Sequence, residues 1–246
     1  MSEENLKKII AELKKDQKFE SKDIKPLPLD QLDSFFLRRW FGIRQIEIFA
    51  PSLSKANYEG AEYFCLLYKS FTNDEYCYSI FHENFYKKLD YIKNTYWTYT
   101  INKDRFERIL LISDDPIRLM RYFSNYSNDF KAYQVVCCVP NAVSYGSIKT
   151  IKEKYPVARV LTVFETYDFG DLKKLIVSAV FAEKPFLISH DESQMIFTSG
   201  EKVYRAEDAK YSELQKFFRF YSIVKHRTDN RTKSSDKKQF KYRKSF

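Results

Sequence analysis

The sequence predicts an α/β fold: a largely parallel sheet with flanking helices, preceded by a small antiparallel aromatic-rich sheet and followed by a disordered basic tail. Three observations predict it. Between Arg108 and Asp171, the apolar runs RILLIS, YQVVCCV and ARVLTVF are each followed by a polar turn and a helical pattern. Strands alternating with helices build a parallel sheet through right-handed crossovers. Between Glu47 and Tyr99 the pattern changes to short runs rich in aromatic and β-branched residues, separated by turn residues at Asn57–Gly60 and Thr72–Asp74. That is the pattern of antiparallel strands. Beyond Val224 the periodicity stops and basic residues dominate.

The elements follow in order. Ser2 to Lys18 places Leu6, Ile9, Ile10 and Leu13 at helical spacing, with Glu3 and Glu4 at the start and Lys14 and Lys15 near the end. The helix dipole favours that charge order. This amphipathic helix needs a partner surface, either its own domain or another protein. Pro26 and Pro28 then make a linker, because neither can continue a helix. Asp30 is placed to cap a second helix, Gln31 to Phe41, which Gly42 terminates. Arg38 and Arg39 on that helix are read as solvated or snorkelling side chains, with phosphate contact as the alternative.

The next aromatics, Tyr63, Tyr76, Tyr78, Phe81, Tyr96, Trp97 and Tyr99, divide between core packing and a base-stacking platform. RILLIS then reads as a strand buried on both faces. Pro116 stands near the first position of the helix after it, and Ser144 caps the helix after YQVVCCV. Asp168 to Asp171 opens a third helix, FLISH is a fourth strand, and MIFTSG with KVYRA forms a hairpin at Ser199–Gly200. A last helix spans Glu207 to Val224. The chain thus divides into 1–29 (helix and linker), 30–104 (helix and small sheet), 105–224 (α/β domain) and 225–246 (tail).

Charge is concentrated at one end. The formal net charge is +9 over 246 residues, and from Lys225 onward nine basic residues stand against Asp229 and Asp236, a net +7. Arg227, Arg231, Lys233, Lys237, Lys238, Lys241, Arg243 and Lys244 are therefore the candidate phosphate contacts, with Tyr242 able to stack on a base. DNA or RNA is the partner expected for this tail, and a protein partner is the one expected for the N-terminal helix. The four cysteines, Cys65, Cys77, Cys137 and Cys138, form no zinc-ligand spacing, and the adjacent pair lies inside an apolar strand. Free thiols without an apolar leader lead to the expectation of a reducing, cytoplasmic setting. No run of residues reaches the ~20 apolar positions that span a bilayer, so no membrane contact is expected.

In a parallel sheet, sites form at the carboxyl ends of strands. Those ends carry Ser113, Asp114 and Asp115; Pro140 and Asn141; and Glu165, Thr166, Tyr167 and Asp168. Asp114, Asp115, Glu165 and Asp168 are the candidate metal ligands, with Mg²⁺ the ion that hard oxygen ligands suit. The alternative is that Asp114, Asp115 and Asp168 only stabilise helix N-termini. Glu165 is the candidate catalytic residue. Glycine-rich phosphate loops and nucleophile elbows are absent from the sequence.

Strand plus acid, helix, strand with N-A-V-S, helix ending in K-E-K-Y-P, then strand with acid-x-x-acid-x-Gly: this order resembles the Toprim domain. It is closest in pattern to the Toprim-containing primase-like proteins of bacterial mobile elements. FLRRWFGI and the AEYFCLLYKSFTNDEYCYSIFHENF stretch resemble the segments preceding that domain, so the likeness runs roughly from residue 30 to residue 190. The resemblance implies a metal triad: a Glu after the first strand and Asp-x-Asp-x-x-Gly after the third. Ser113 stands at the Glu position, Glu165 at the first Asp and Tyr167 at the second, with Asp168 one position late. The family's frequent zinc-ribbon cysteines are missing. The expectation is a degenerate, non-catalytic Toprim-like core in a nucleic-acid-binding accessory protein of DNA replication or mobilisation. The alternatives are a metal-dependent primase- or nuclease-type phosphotransfer enzyme, and a scaffold that binds no nucleic acid.

Overall fold

The computed structural model describes residues 24–220, apart from positions 59, 84, 90, 91, 93, 157, 158, 166, 167, 192, 193 and 207–209. The N-terminal helix expected over Ser2–Lys18 and the basic tail from Lys225 onward lie outside the described residues.

The local signals at helix ends place their elements where expected. Helix α1 spans Gln31–Phe41. Its cap is reciprocal: Asp30 accepts from the Asp33 backbone N–H at 2.9 Å, and Asp33 accepts from the Asp30 N–H at 2.7 Å. The Asp33 backbone N–H and the Lys55 ammonium hold the Asp30 carboxyl below its usual range. Gly42 ends the helix at φ 65°, a left-handed backbone that suits a residue without Cβ. A short helix α2, Ile46–Phe49, follows, where the sequence pattern from Glu47 predicts a strand.

The strands are β1 (Ser54–Tyr58), β2 (Ala61–Ser70), β3 (Tyr76–His82), β4 (Phe85–Lys88), β5 (Thr95–Ile101), β6 (Arg108–Ile112), β7 (Gln134–Pro140) and β8 (Arg159–Thr162). All eight lie in one mixed sheet of order β4-β3-β2-β5-β7-β6-β8, with β1 paired to β2. Here the structure corrects two expectations. The aromatic strands are not a separate preceding sheet, and the sheet as a whole is not largely parallel. Only β6 with β7 and β6 with β8 pair in parallel among the described strands.

The reason lies at the outer edge of β7. An unpaired edge in the middle of a core leaves backbone groups without partners. β5 satisfies that edge, running antiparallel to β7 from Tyr96↔Pro140 to Ile101↔Val135. Successive residues of β5 are buried on opposite faces, Tyr96 and Trp97 each at 2% exposure. The aromatic residues considered for stacking thus separate: Phe81, Tyr96 and Trp97 are core, and Tyr76 is exposed.

Helix α3 (Pro116–Tyr126) joins β6 to β7, α4 (Tyr145–Lys154) joins β7 to β8, and α5 (Asp168–Phe181) follows β8. Alternate strand residues feed two cores, as a period of two requires. Ile109, Leu111, Val135, Cys137 and Leu161 pack with α1, α2 and α3. Leu110, Ile112, Val136, Cys138 and Val160 pack with α4 and α5. The adjacent cysteines therefore straddle the sheet rather than share a site.

FLISH is β9 (Leu187–Asp191), but it does not extend the main sheet. It pairs with β10 (Gln194–Ser199), which pairs with β11 (Lys202–Ala206), in a separate antiparallel sheet at the C-terminal side. All five residues of β9 are exposed, which is incompatible with the doubly buried place of a parallel strand. The last helix, α6, is shorter than expected within the described residues, Tyr211–Phe218, and packs Leu214 and Phe218 against Phe186 and Phe197. Lys184 ends it by donating to the carbonyls of Phe218 and Arg219, each at 2.9 Å.

All four cysteines are buried and outside any disulfide. Burial pushes the Cys65 thiol up to about 12 and raises Cys137 and Cys138 further. The thiolate is the reactive form. A thiol-specific aromatic disulfide reagent is therefore expected to leave native protein unmodified at neutral pH. All four thiols should react together, along the global unfolding curve in denaturant. Rapid stoichiometric labelling of native protein would contradict the burial.

Candidate functional site

β6 lies between β7 and β8, and the two crossovers run on opposite faces of the sheet. α3 packs on one face and α4 on the other. The carboxyl ends of β6 and β8 therefore meet at a topological switch point, where open α/β sheets form their crevices.

Ser113 holds this point together. It is fully buried. Its N–H donates to the Cys138 carbonyl at 3.2 Å, and its hydroxyl donates to the Val163 carbonyl at 2.7 Å and accepts from the Asp115 N–H at 3.1 Å. The Val163 N–H returns to the Ile112 carbonyl at 2.8 Å. One small residue, through its backbone N–H and its hydroxyl, thus ties β6 to β7 and to the end of β8 and starts the turn into α3.

Asp114 and Asp115 leave that turn in different roles. Asp115 is the N-cap of α3, accepting from the backbone N–H of Ile117 at 2.8 Å and of Arg118 at 3.2 Å, with Pro116 at the helix start. Asp114 carries two cations. Arg118, one turn along α3, donates to its Oδ1 at 2.8 Å, and Lys173 of α5 donates to its Oδ2.

Glu165 follows the end of β8. Its Oε1 lies 3.4 Å from the same Lys173 Nζ. The backbone carbonyl of Glu165 lies against Gly170 so closely that a Cβ there would overlap it. A glycine in the first turn of α5 is what lets the helix start directly over the strand end. Asp168 opens α5, and its side chain, like Thr166 and Tyr167, lies outside the described set.

Of the four candidate metal ligands, the structure brings Asp114 and Glu165 to one ammonium and assigns Asp115 to a helix cap. The two cations are residues that strand-end reasoning passes over. Arg118 is four residues from Asp114, a spacing that pairs side chains on a helix. Lys173 is eight residues from Glu165 and 59 from Asp114. Its side chain reaches the strand end because helical side chains lean toward the N-terminus of their helix.

The Asp114, Glu165, Lys173 and Arg118 side chains are 21%, 36%, 26% and 31% exposed, so water screens the cluster only partly. Alongside it, the Tyr68 and Tyr86 hydroxyls lie 3.3 Å apart. Burial raises both, Tyr86 to about 12, and the charge of Asp115 acts in the same direction.

The described side chains do not fit a bound Mg²⁺. That ion demands near-octahedral oxygens at about 2.0–2.1 Å. Here an ammonium donates to both carboxylates, in the place a shared dication would take. Among the described residues no three His, Cys, Asp or Glu side chains form a metal-binding group. No helix among them is long and apolar enough to cross a membrane.

No protein-family model and no curated protein matches the sequence. Among solved structures, the chain is similar to one in the bacteriophage T7 lagging-strand DNA polymerase interacting with primase domains of two gp4 subunits bound to an RNA/DNA hybrid and dTTP. The TM-score is 0.40 at 13% identity, over 55% of this chain and 68% of that one. It is similar as well to the primase fragment of the bacteriophage T7 primase-helicase, with a TM-score of 0.39 at 12% identity, over 58% of this chain and 55% of that one. These are partial, distant overlaps, and the chemistry of the switch point rests on this chain's own residues.

Proposed function

We propose that this protein is a nucleic-acid-binding accessory factor of DNA replication or mobilisation, with a degenerate Toprim-like core that performs no phosphoryl transfer. The observation that carries this reading is the Lys173 ammonium between Asp114 and Glu165. Metal-assisted phosphoryl transfer needs carboxylates open to a dication that polarises phosphate oxygens and activates a nucleophile. Here the carboxylates are engaged by the protein's own cations. Nucleic-acid contact then falls to the net +7 segment from Lys225 to Phe246, where Phe240, Tyr242 and Phe246 interleave with the basic residues. Such a segment gives salt-dependent affinity with little sequence preference.

A second reading, a metal-dependent primase- or nuclease-type enzyme with Glu165 as its catalytic carboxylate, draws support from one fact. Asp114 and Glu165 do come from the ends of adjacent parallel strands, where two carboxylates can share a cation. It requires Lys173 to leave.

Removing residues 225–246 tests the first reading. The full chain is expected to bind a single-stranded oligonucleotide with log affinity falling by roughly 0.7 per phosphate neutralised for each tenfold rise in salt. The truncated chain should bind about a hundredfold more weakly at low salt and with a flatter slope. Equal binding by both chains, measured by fluorescence anisotropy, would remove the tail as the contact.

A further inference from the structure

We propose that Lys173 is a tethered counterion that does structurally what a bound divalent cation would do, so that this switch point is a metal-free equivalent of a metal site. The inference rests on the reading of the core as self-neutralised and does not depend on nucleic-acid binding.

Two carboxylates from adjacent strand ends repel each other unless a cation or a proton neutralises them. Protonation is one route and a dication is another. This chain uses a third: Lys173 donates to Asp114 and lies 3.4 Å from Glu165, and Arg118 takes the other oxygen of Asp114 at 2.8 Å. The lysine is held for this task by the fold. It stands on the helix whose first turn is fixed over Glu165 by the close approach at Gly170. The same helix is held from behind by Asp171, which accepts from Lys174 at 2.7 Å and from the Tyr211 N–H at 3.2 Å. The ammonium therefore arrives with α5, at no cost in bound solute, and joins α5 to the ends of β6 and β8.

The consequence is a specific chemical vacancy when the ammonium is removed. Lys173→Met keeps the length and apolar stem of the side chain and deletes the charge. Asp114 and Glu165 then lack their shared cation, and oxygen ligands in that state suit Mg²⁺ or Mn²⁺.

The experiment is thermal unfolding of the full chain with millimolar MgCl₂ or MnCl₂, against NaCl of matched ionic strength. Wild type is expected to give the same Tm in all three. K173M should melt about 5 °C lower in NaCl and recover most of that loss in either divalent salt. K173M/E165Q should recover part of the loss in NaCl and lose the response to divalent cations. If K173M fails to fold in NaCl, folding on addition of MgCl₂, followed by circular dichroism, supports the proposal. A K173M protein equally stable, or equally unfolded, in divalent and monovalent salt overturns it, as does a wild-type Tm that rises with Mg²⁺. An oligonucleotide-binding result that defeats the proposed function leaves these melting curves unchanged, so the two failures are separable.

Discussion

Ser113→Glu is expected to destabilise the protein by about 3–5 kcal/mol, the usual cost of an uncompensated buried charge. The substitution places a glutamate where the resembled Toprim pattern carries one and this chain carries serine. It should not create a metal site. Ser113 has no exposed surface, and its hydroxyl points at the Val163 carbonyl 2.7 Å away. A carboxylate there meets an acceptor with nothing to donate, and its extra atoms have no room between the ends of β6 and β8. The Asp115 N–H and the Val163 carbonyl both lose the partner they now share. Chemical denaturation monitored by tryptophan fluorescence measures the loss, and the thermal midpoint should fall by roughly 10 °C. Ser113→Ala should cost only about 1–2 kcal/mol, since it removes hydrogen bonds without adding a charge. A glutamate variant as stable as wild type would mean that this strand end is more open than its contacts indicate.

Gly170→Ala is expected to cost about 3 kcal/mol, near the upper end for overpacking. The added Cβ would overlap the Glu165 carbonyl oxygen, stand 2.8 Å from the carbonyl carbon and 3.2 Å from the Glu165 Cγ. Backbone cannot swing aside as a side-chain tip can, so α5 must lift or Glu165 must move. Either displacement separates Glu165 from Lys173. Gly146, at the start of α4, has open space around its Cβ position and serves as the control. Gly146→Ala should be neutral or slightly stabilising, because alanine is the better helix former. Equal effects at the two glycines would contradict the close packing at Gly170.

These two positions mark how far the sequence could be read. The caps at Asp30 and Ser144, the stop at Gly42 and the three parallel strands are local in origin, and each was legible from a few neighbouring residues. Gly170 was legible too, as the glycine of the acid-x-x-acid-x-Gly run. The placement of β1 to β5 was not. An alternating aromatic strand carries no mark of which edge it will pair with, and β5 joins β7 across more than thirty residues of chain. FLISH was recognised as a strand, but its pairing with β10 in a separate sheet was not legible from so short a run.

The carboxylates of the site were found because strand ends are predictable places. Their cations were not, because Lys173 looks like any lysine on an amphipathic helix until α5 is docked. The pairing that decides the chemistry is thus the least local one within the site, between residues 59 apart.

The most direct measurement is a calorimetric titration of Mg²⁺ and of Mn²⁺ into the wild-type full chain, alone and with a single-stranded oligonucleotide present. No heat of metal binding to the protein alone and no metal-dependent gain in oligonucleotide affinity are expected. Millimolar or tighter binding that disappears in Glu165→Gln would show that Lys173 yields its place to a dication, and would make the switch point a catalytic metal centre after all.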